Sequence, residues 1–526
     1  MVRSAHASPA ARSEHLISTS SPHVDLPVDG PAPAPVHTVR EALRSPRALR
    51  TEVLAGLVVA LALIPEAISF SIIAGVDPRV GLFASFTMAV SIAFLGGRPA
   101  MISAATGAIA LVVAPLSRDY GLDFLVAAVL LGGAIQVTLG LLGISRLMRF
   151  VPRSVMVGFV NALAILIAMS QLPYLIDVPG LVYPMVALGI AMIVLLPRIS
   201  TAIPSPLIAI VALTLFTVLA SVAVPDVGDE GALPDGLPSL GLPDVPWTME
   251  TLQIIAPYAL GIAVVGLLES LMTQRLVDDI TDTTSDPKRE SWGQGAANLI
   301  TGFFGGMGGC AMIGQTMINV KTSGARTRIS TFLAGLFLLI LVVGLGDIVA
   351  TIPMAALVAI MLMVAVGTFD WHSITPSTLR RMPRSETAVM LTTVATTVLT
   401  HNLAIGVVAG VLVATSLLAR RMATQVRVDR DLVEDEHGAA TAVYTVHGEL
   451  FFASSHDLAT RFDYDDDPAR VTIDVTGSHV WDASTVAALD GVRSSYAKRG
   501  TAVHIEGLNE ASKSMHDRLS GRLNVD

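Results

Sequence analysis

Between Val53 and Arg421 the sequence is one apolar stretch after another, and nothing else constrains the fold as strongly. A bilayer-crossing helix needs about 20 mostly apolar residues, because lipid offers no partner to an exposed backbone N–H or C=O. Such segments lie at 52–74, 79–95, 101–116, 122–144, 152–175, 180–196 and 204–224. A second group lies at 251–276, 290–306, 311–320, 329–345, 347–367, 385–401 and 403–421. Only 15% of the residues are charged, against about 25% in a soluble domain. The sequence therefore predicts an all-α polytopic membrane protein of fourteen spans. Its 43 glycines suit helices that pack backbone to backbone.

The basic residues test that count. Arg40, Arg44, Arg47 and Arg50 precede the first segment, and Arg146, Arg149 and Arg153 follow the fourth. Arg198, then Arg275, Lys288 and Arg289, then Lys321, Arg326 and Arg328 follow the sixth, eighth and tenth. Arg380, Arg381 and Arg384 follow the twelfth, and Arg420 and Arg421 the last. The 225–250 connection carries Asp226, Asp229, Glu230, Asp235 and Asp244 and no Lys or Arg. Basic loops belong on the cytoplasmic side. Fourteen spans put every basic cluster there, with both termini, and the acidic loop outside; Arg98 is the exception.

Two sets of seven imply halves of opposite orientation, the inverted-repeat plan of secondary transporters, in which matched broken segments mark the binding site. The third segment of each half is short and interrupted by small or polar residues. Ala100-Met101-Ile102 in one is echoed by Ala311-Met312-Ile313 in the other. Half-helix N-termini there would present unpaired N–H groups and partial positive charge to an anion. Ser103, Ala104 and Ala105 in the first half, and Gly314, Gln315 and Thr316 in the second, are the candidate substrate-binding residues.

Two carboxylates lie deep in apolar segments, where an ionisable group is a functional candidate by default. Glu269 has Thr273 one turn on, on the same helix face, a pair of hard oxygen ligands for a small cation. Glu66 directly follows Pro65, which removes a backbone donor. First and eighth segments correspond under the repeat, so both acids are expected near the substrate. Two acids there need a proton or a cation such as sodium before an anion can bind. Asp278, Asp279 and Asp282 are expected to be solvated, and His401-Asn402 to form a turn.

After Arg421 the pattern changes. Stretches 443–447, 471–475 and 502–506 read as strands and 484–496 as an amphipathic helix, a small α/β domain. The domain plan is a cytoplasmic tail at 1–50 with an irregular Pro-rich stretch at 31–35, repeat one at 51–224, the loop at 225–250, repeat two at 251–424 and the soluble domain at 425–526. A single cysteine, Cys310, excludes an internal disulfide. No signal peptide is expected, because no short apolar run with a cleavage site lies near Met1.

The segment Leu63-Ile64-Pro65-Glu66-Ala67-Ile68-Ser69-Phe70-Ser71 resembles the opening helix of SulP anion permeases. The run from Gly302-Phe303-Phe304-Gly305-Gly306 to Cys310-Ala311-Met312-Ile313-Gly314-Gln315-Thr316 resembles the bicarbonate-transporter branch of that family. Ile473-Asp474-Val475 followed by Asp482-Ala483-Ser484 is similar to the STAS domain. The resemblance implies core and gate domains, an anion held between two half-helices, elevator-like movement and a homodimer. It also implies that an acid at Glu269, with Thr273, helps bind sodium, although that branch has Asp there. Anion exchangers of the family carry an Arg near Gln315, so a neutral residue favours symport. Ser484 matches a position phosphorylated in STAS relatives; the residues alone read Asp482 and Ser484 as a helix cap.

The expected activity is sodium-coupled bicarbonate uptake across the plasma membrane. Proton-coupled dicarboxylate or sulfate uptake is the alternative, and from another class, a receptor or scaffold recruiting a cytoplasmic partner through the soluble domain. No catalytic triad, phosphate loop, metal cluster or nucleic-acid motif is visible, so an enzyme is not expected, and neither is a bound cofactor.

Overall fold

The structure, a computed structural model, describes residues 38–143, 151–198, 205–234, 236–434 and 440–522. Residues 1–37, with the Pro-rich stretch at 31–35, and Arg146, Arg149 and Asp235 lie outside the described residues.

Thr38 and Glu41 form a capping box at the head of α1 (Val39–Arg44). Ser45 then caps α2 (Pro46–Ala74), with Pro46 at its first position, where no intrahelical donor is lost. α3 (Pro78–Leu95) leads into a two-residue strand, β1 (Ser103–Ala104), and only then into α4 (Gly107–Tyr120). The first half continues with α5 (Leu122–Leu141), α6 (Arg153–Ser170), α7 (Val182–Leu195) and α8 (Ser205–Leu219).

The second half opens with α9 (Met249–Thr281) and α10 (Pro287–Phe303). A second two-residue strand, β2 (Cys310–Ala311), precedes α11 (Ile313–Met317), which runs on as a π-helical turn, Ile318–Thr322. Then come α12 (Arg328–Gly344), α13 (Gly346–Ala350), α14 (Met354–Thr368), α15 (Pro376–Arg381), α16 (Arg384–Thr400) and α17 (Leu403–Ala423).

Each of the fourteen apolar segments of the sequence coincides with a helix. Among the described residues, six helical segments are long and apolar enough to cross a membrane, and four more apolar helices are shorter. The membrane part departs from all-α where the third segment of each half is broken. There the two strands pair antiparallel, Ser103 with Ala311 and Ala104 with Cys310, which satisfies backbone groups that lipid could not.

Two packing groups are visible. α5 lies against α9 and α10, and α12 against α2 and α3, while α6, α7, α8, α14, α16 and α17 pack among themselves. The α5–α10 pair meets backbone to backbone: a Cβ on Gly133 would stand 2.8 Å from the Gly295 carbonyl oxygen.

Charge placement needs two corrections. Arg98 is buried and paired with Asp278 at 2.9 Å, and Asp278 also accepts from Ser285, so this acid is not simply solvated. Arg79 and Arg118, like Arg98, belong to none of the basic clusters. Arg79 sits at the end that bears the acidic connection, where its amide donates to the Ala232 carbonyl. His401 and Asn402 do form a turn: His401 has left-handed φ, and Asn402 caps α17.

The soluble domain has the sheet order β3 (Arg427–Glu434), β4 (Ala440–Leu450), β5 (Arg470–Asp474), β7 (Ala502–Glu506), with β6 (Ser478–Val480) alongside β4. β3 and β4 are antiparallel and the other pairings parallel. Helices α18 (Phe452–Ala459), α19 (Ala483–Ala497) and α20 (Glu510–Leu519) cover a core around Tyr444, Ile473, Leu489 and Tyr496.

Candidate functional site

The two broken segments are locked together before either helix begins. The Met312 amide donates to the Ile102 carbonyl at 2.9 Å, and the Ile102 amide donates to Thr316 Oγ1 at 3.0 Å. Thr106 ends the first extended stretch and caps α4, its hydroxyl accepting from the Ile109 amide at 3.3 Å.

Where α4 and α11 start, a cavity of about 360 Å³ opens. One wall is Glu66 and Phe70 of α2, Thr106 and Gly107, Glu269 and Met272 of α9, and Gly314 and Gln315 of α11. The facing wall comes from the other packing group: Phe159, Leu163 and Ile167 of α6, and Val364, Gly367 and Thr368 of α14. Polar and charged groups thus sit on one side and apolar ones mostly on the other. Among the described lining residues there is no Lys, Arg or His. Positive potential at this end of the cavity comes from helix N-termini, that of the longer α4 foremost.

The residues singled out in the sequence divide by position. Glu66, Glu269, Gly314 and Gln315 line the cavity, with the Gln315 amide group close to the Glu66 carboxyl. A Cβ on Gly314 would meet nothing within 4 Å. Ser103, Ala104 and Ala105 are buried ahead of the helix start. Ser103 Oγ accepts from Gln294 and the Ala105 amide donates to Ser85 Oγ; Thr106 and Gly107 stand at the cavity in their place. Thr316 is buried too, its hydroxyl turned to Ile102.

Thr273 lies behind Glu269 rather than in the cavity wall. Its hydroxyl donates to the Glu269 carbonyl at 2.8 Å and lies 3.4 Å from the Ala311 carbonyl. The Thr273 hydroxyl and the backbone carbonyls of Glu269 and Ala311 are therefore neighbours, hard oxygens of the kind that suit a small cation. Among the described residues there is no group of three or more His, Cys, Asp or Glu that could hold a metal.

Sequence reasoning missed the element that holds both strands. α10 carries Glu290, Gln294, Asn298 and Thr301, all fully buried. Gln294 donates to Ser103 and to Glu290. Asn298 donates to the Gly309 carbonyl and to Gln136, and accepts from the Gly309 amide. Thr301 bonds Thr87. The signal was present as a polar residue every three or four positions, one face of a helix.

A family model described as the sulfate permease family matches residues 49–187 and 182–393, and a STAS domain model matches 433–520. YbaR of Bacillus subtilis, named as a candidate sulfate transporter, is 51% identical over 472 residues, 90% of this chain and 97% of that protein. The chain belongs to the sulfate permease family. The bicarbonate transporter BicA of Picosynechococcus is 28% identical over 417 residues, 72% of this chain and 71% of BicA. The solved transmembrane domain of a cyanobacterial BicA matches 70% of this chain and 98% of that domain, with a TM-score of 0.61 and 25% identity. The murine Solute Carrier 26 family member A9 anion transporter, in its inward-facing state, matches 89% of this chain and 87% of its own, with a TM-score of 0.75 and 17% identity, a likeness of fold. This permease is thus a multi-pass membrane anion transporter with a C-terminal STAS domain.

Proposed function

We propose that this permease is a cation-coupled symporter that takes up a small oxyanion, bicarbonate with sodium being the first reading. One observation carries it: the cavity holds two carboxylates, Glu66 and Glu269, and no cationic side chain among its described lining. An anion brought beside two acids needs neutralisation that helix dipoles supply only in part. A co-transported sodium ion at Glu269, Thr273 and the Ala311 carbonyl would complete it, or a proton on Glu269. Monovalent bicarbonate makes the smaller demand. Sulfate with protons is the second reading, favoured by the 51% identity to YbaR, whose name points to sulfate. Dicarboxylate with protons is a weaker version of the same mechanism.

The anion would lie against the first turn of α4, with Gly107 and Gly314 admitting it to the backbone. Movement of the strand-bearing group of helices past the α6–α14 wall would carry it across, an elevator displacement. We place both termini in the cytoplasm and expect a homodimer in the plasma membrane.

Uptake by purified protein in liposomes tests this, with radiolabelled bicarbonate and sulfate and with sodium and pH gradients imposed separately. Uptake that follows one gradient supports symport. Uptake that ignores both and needs only an anion inside the liposome overturns it in favour of exchange.

A further inference from the structure

Cys310 is the one cysteine of the chain, and its fully buried sulfur touches both halves of the site. Its thiol donates to Glu269 Oε2 at 2.9 Å. On the other side it lies 3.1 Å from the hydroxyl of Thr106, the cap of α4. The Thr106 oxygen already accepts from the Ile109 amide, so its hydrogen is free to point at sulfur. Every donor then points the same way: Ile109 amide to Thr106, Thr106 to Cys310, Cys310 to Glu269. A chain of aligned bonds of this kind is mutually polarising.

We propose that Cys310 is a positioning residue for the coupling carboxylate, tying the orientation of Glu269 to the N-terminus of α4 where the anion binds. The proposal rests on the reading of Glu269 as the coupling group. With Oε2 held by the thiol, the carboxylate of Glu269, a residue of the cavity lining, cannot turn freely. Cys310 also belongs to β2, paired with Ala104, so sulfur, strand and cap move as one unit. A shift of the α4 cap on anion binding therefore reaches the carboxylate through a single atom. Serine at this position keeps a donor and an acceptor but, with its shorter side-chain bond, spans the two partners less well. Alanine breaks the chain.

Two measurements test this. The infrared S–H stretch of the full-length protein reports one thiol, because the chain has one cysteine. The band is expected below the free-thiol position, to move back toward it in Glu269→Ala, and to shift again in Thr106→Val. In liposomes, Cys310→Ala is expected to raise the half-saturating concentration of the coupling cation roughly 10-fold, as loss of an outer-shell partner does. Sodium or external protons are titrated, whichever gradient drives uptake. Cys310→Ser is expected to restore most of the loss. A wild-type band at the free-thiol position overturns the proposal, as does a Cys310→Ala protein with unchanged cation dependence. If Glu269→Gln keeps full gradient-driven uptake, the reading of Glu269 fails and this role of Cys310 with it, while the band still records the hydrogen bond. If Glu269→Gln is uncoupled but the band ignores Glu269→Ala, only the Cys310 proposal fails.

Discussion

Gly309 and Ala104 approach so closely that a Cβ on Gly309 would stand 2.0 Å from the Ala104 carbonyl oxygen. This is where the two halves of the transporter meet, and backbone cannot yield there as a flexible side chain could. Gly309→Ala is expected to lower stability by about 1–3 kcal/mol or more, the usual cost of overpacking. The melting temperature of the purified protein in detergent should fall, and uptake should be lost with it. Gly314→Ala, at a position where a Cβ meets nothing, should melt like the wild type.

Asn298 supplies three hydrogen bonds to two places, Gly309 and Gln136. Asn298→Leu leaves the Gly309 amide and carbonyl buried without their side-chain partner, at about 1–3 kcal/mol for each orphaned group. Thermal melting should show the loss. Asn298→Asp keeps the acceptor for the Gly309 amide and should fall between the two. Equal melting of wild type and Asn298→Leu would contradict a tethering role for α10.

The fold was legible because lipid enforces it. Apolar runs of spanning length, and two broken ones in matched places, left little freedom. The site was less legible. Ser103 and Thr106 are both small hydroxyl residues near a half-helix, and only the strand pairing decides that Ser103 faces Gln294 while Thr106 faces the cavity. The α6 and α14 wall is apolar, so its residues look like any other lipid-side or core positions. In the sequence α10 is an ordinary span, since its polar stripe becomes meaningful only once Gly309 and Ser103 are seen against it.

In the STAS domain, Asp467 accepts from Tyr444 at 2.6 Å and from Tyr496. Burial pushes the hydroxyls of both tyrosines up, and the hydrogen bonds to Asp467 add to it. A group raised on folding contributes stability that is complete below its unfolded value, about 10 for tyrosine, and lost as pH rises through the folded value. The unfolded domain releases those protons first, so stability should fall above about pH 10. Thermal unfolding of the full-length protein across that range should show the decline, and Tyr496→Phe should flatten it.

Sidedness can be read with single cysteines in a Cys310→Ser background. Leu237 lies in the acidic connection and is exposed, and Lys498 lies on the STAS domain. Leu237→Cys should react with a membrane-impermeant maleimide on intact cells, and Lys498→Cys only after lysis. Labelling of both from outside would rule out the fourteen-span arrangement.

The last prediction concerns charge in the cavity. Gln315 is neutral and meets Glu66, while Glu269 stands in the same lining. If the coupling cation is there to offset these acids, a fixed cation should make it redundant. Gln315→Arg places a guanidinium within reach of Glu66, where a planar donor can pair with a carboxylate. Uptake by this variant is expected to lose most of its response to a sodium or pH gradient while exchange against an internal anion persists. Glu269→Gln is expected to lose the gradient response as well, at every pH if the cation is sodium. The two variants differ in anion affinity, since Arg adds attraction and Gln only removes repulsion. By reciprocity, the wild type must bind anion more tightly with the cation present by the same factor as the converse. Calorimetry with and without sodium measures that factor, and in Gln315→Arg it should fall toward one. A Gln315→Arg protein whose sodium dependence matches the wild type would show that the cation serves something other than charge balance in this cavity.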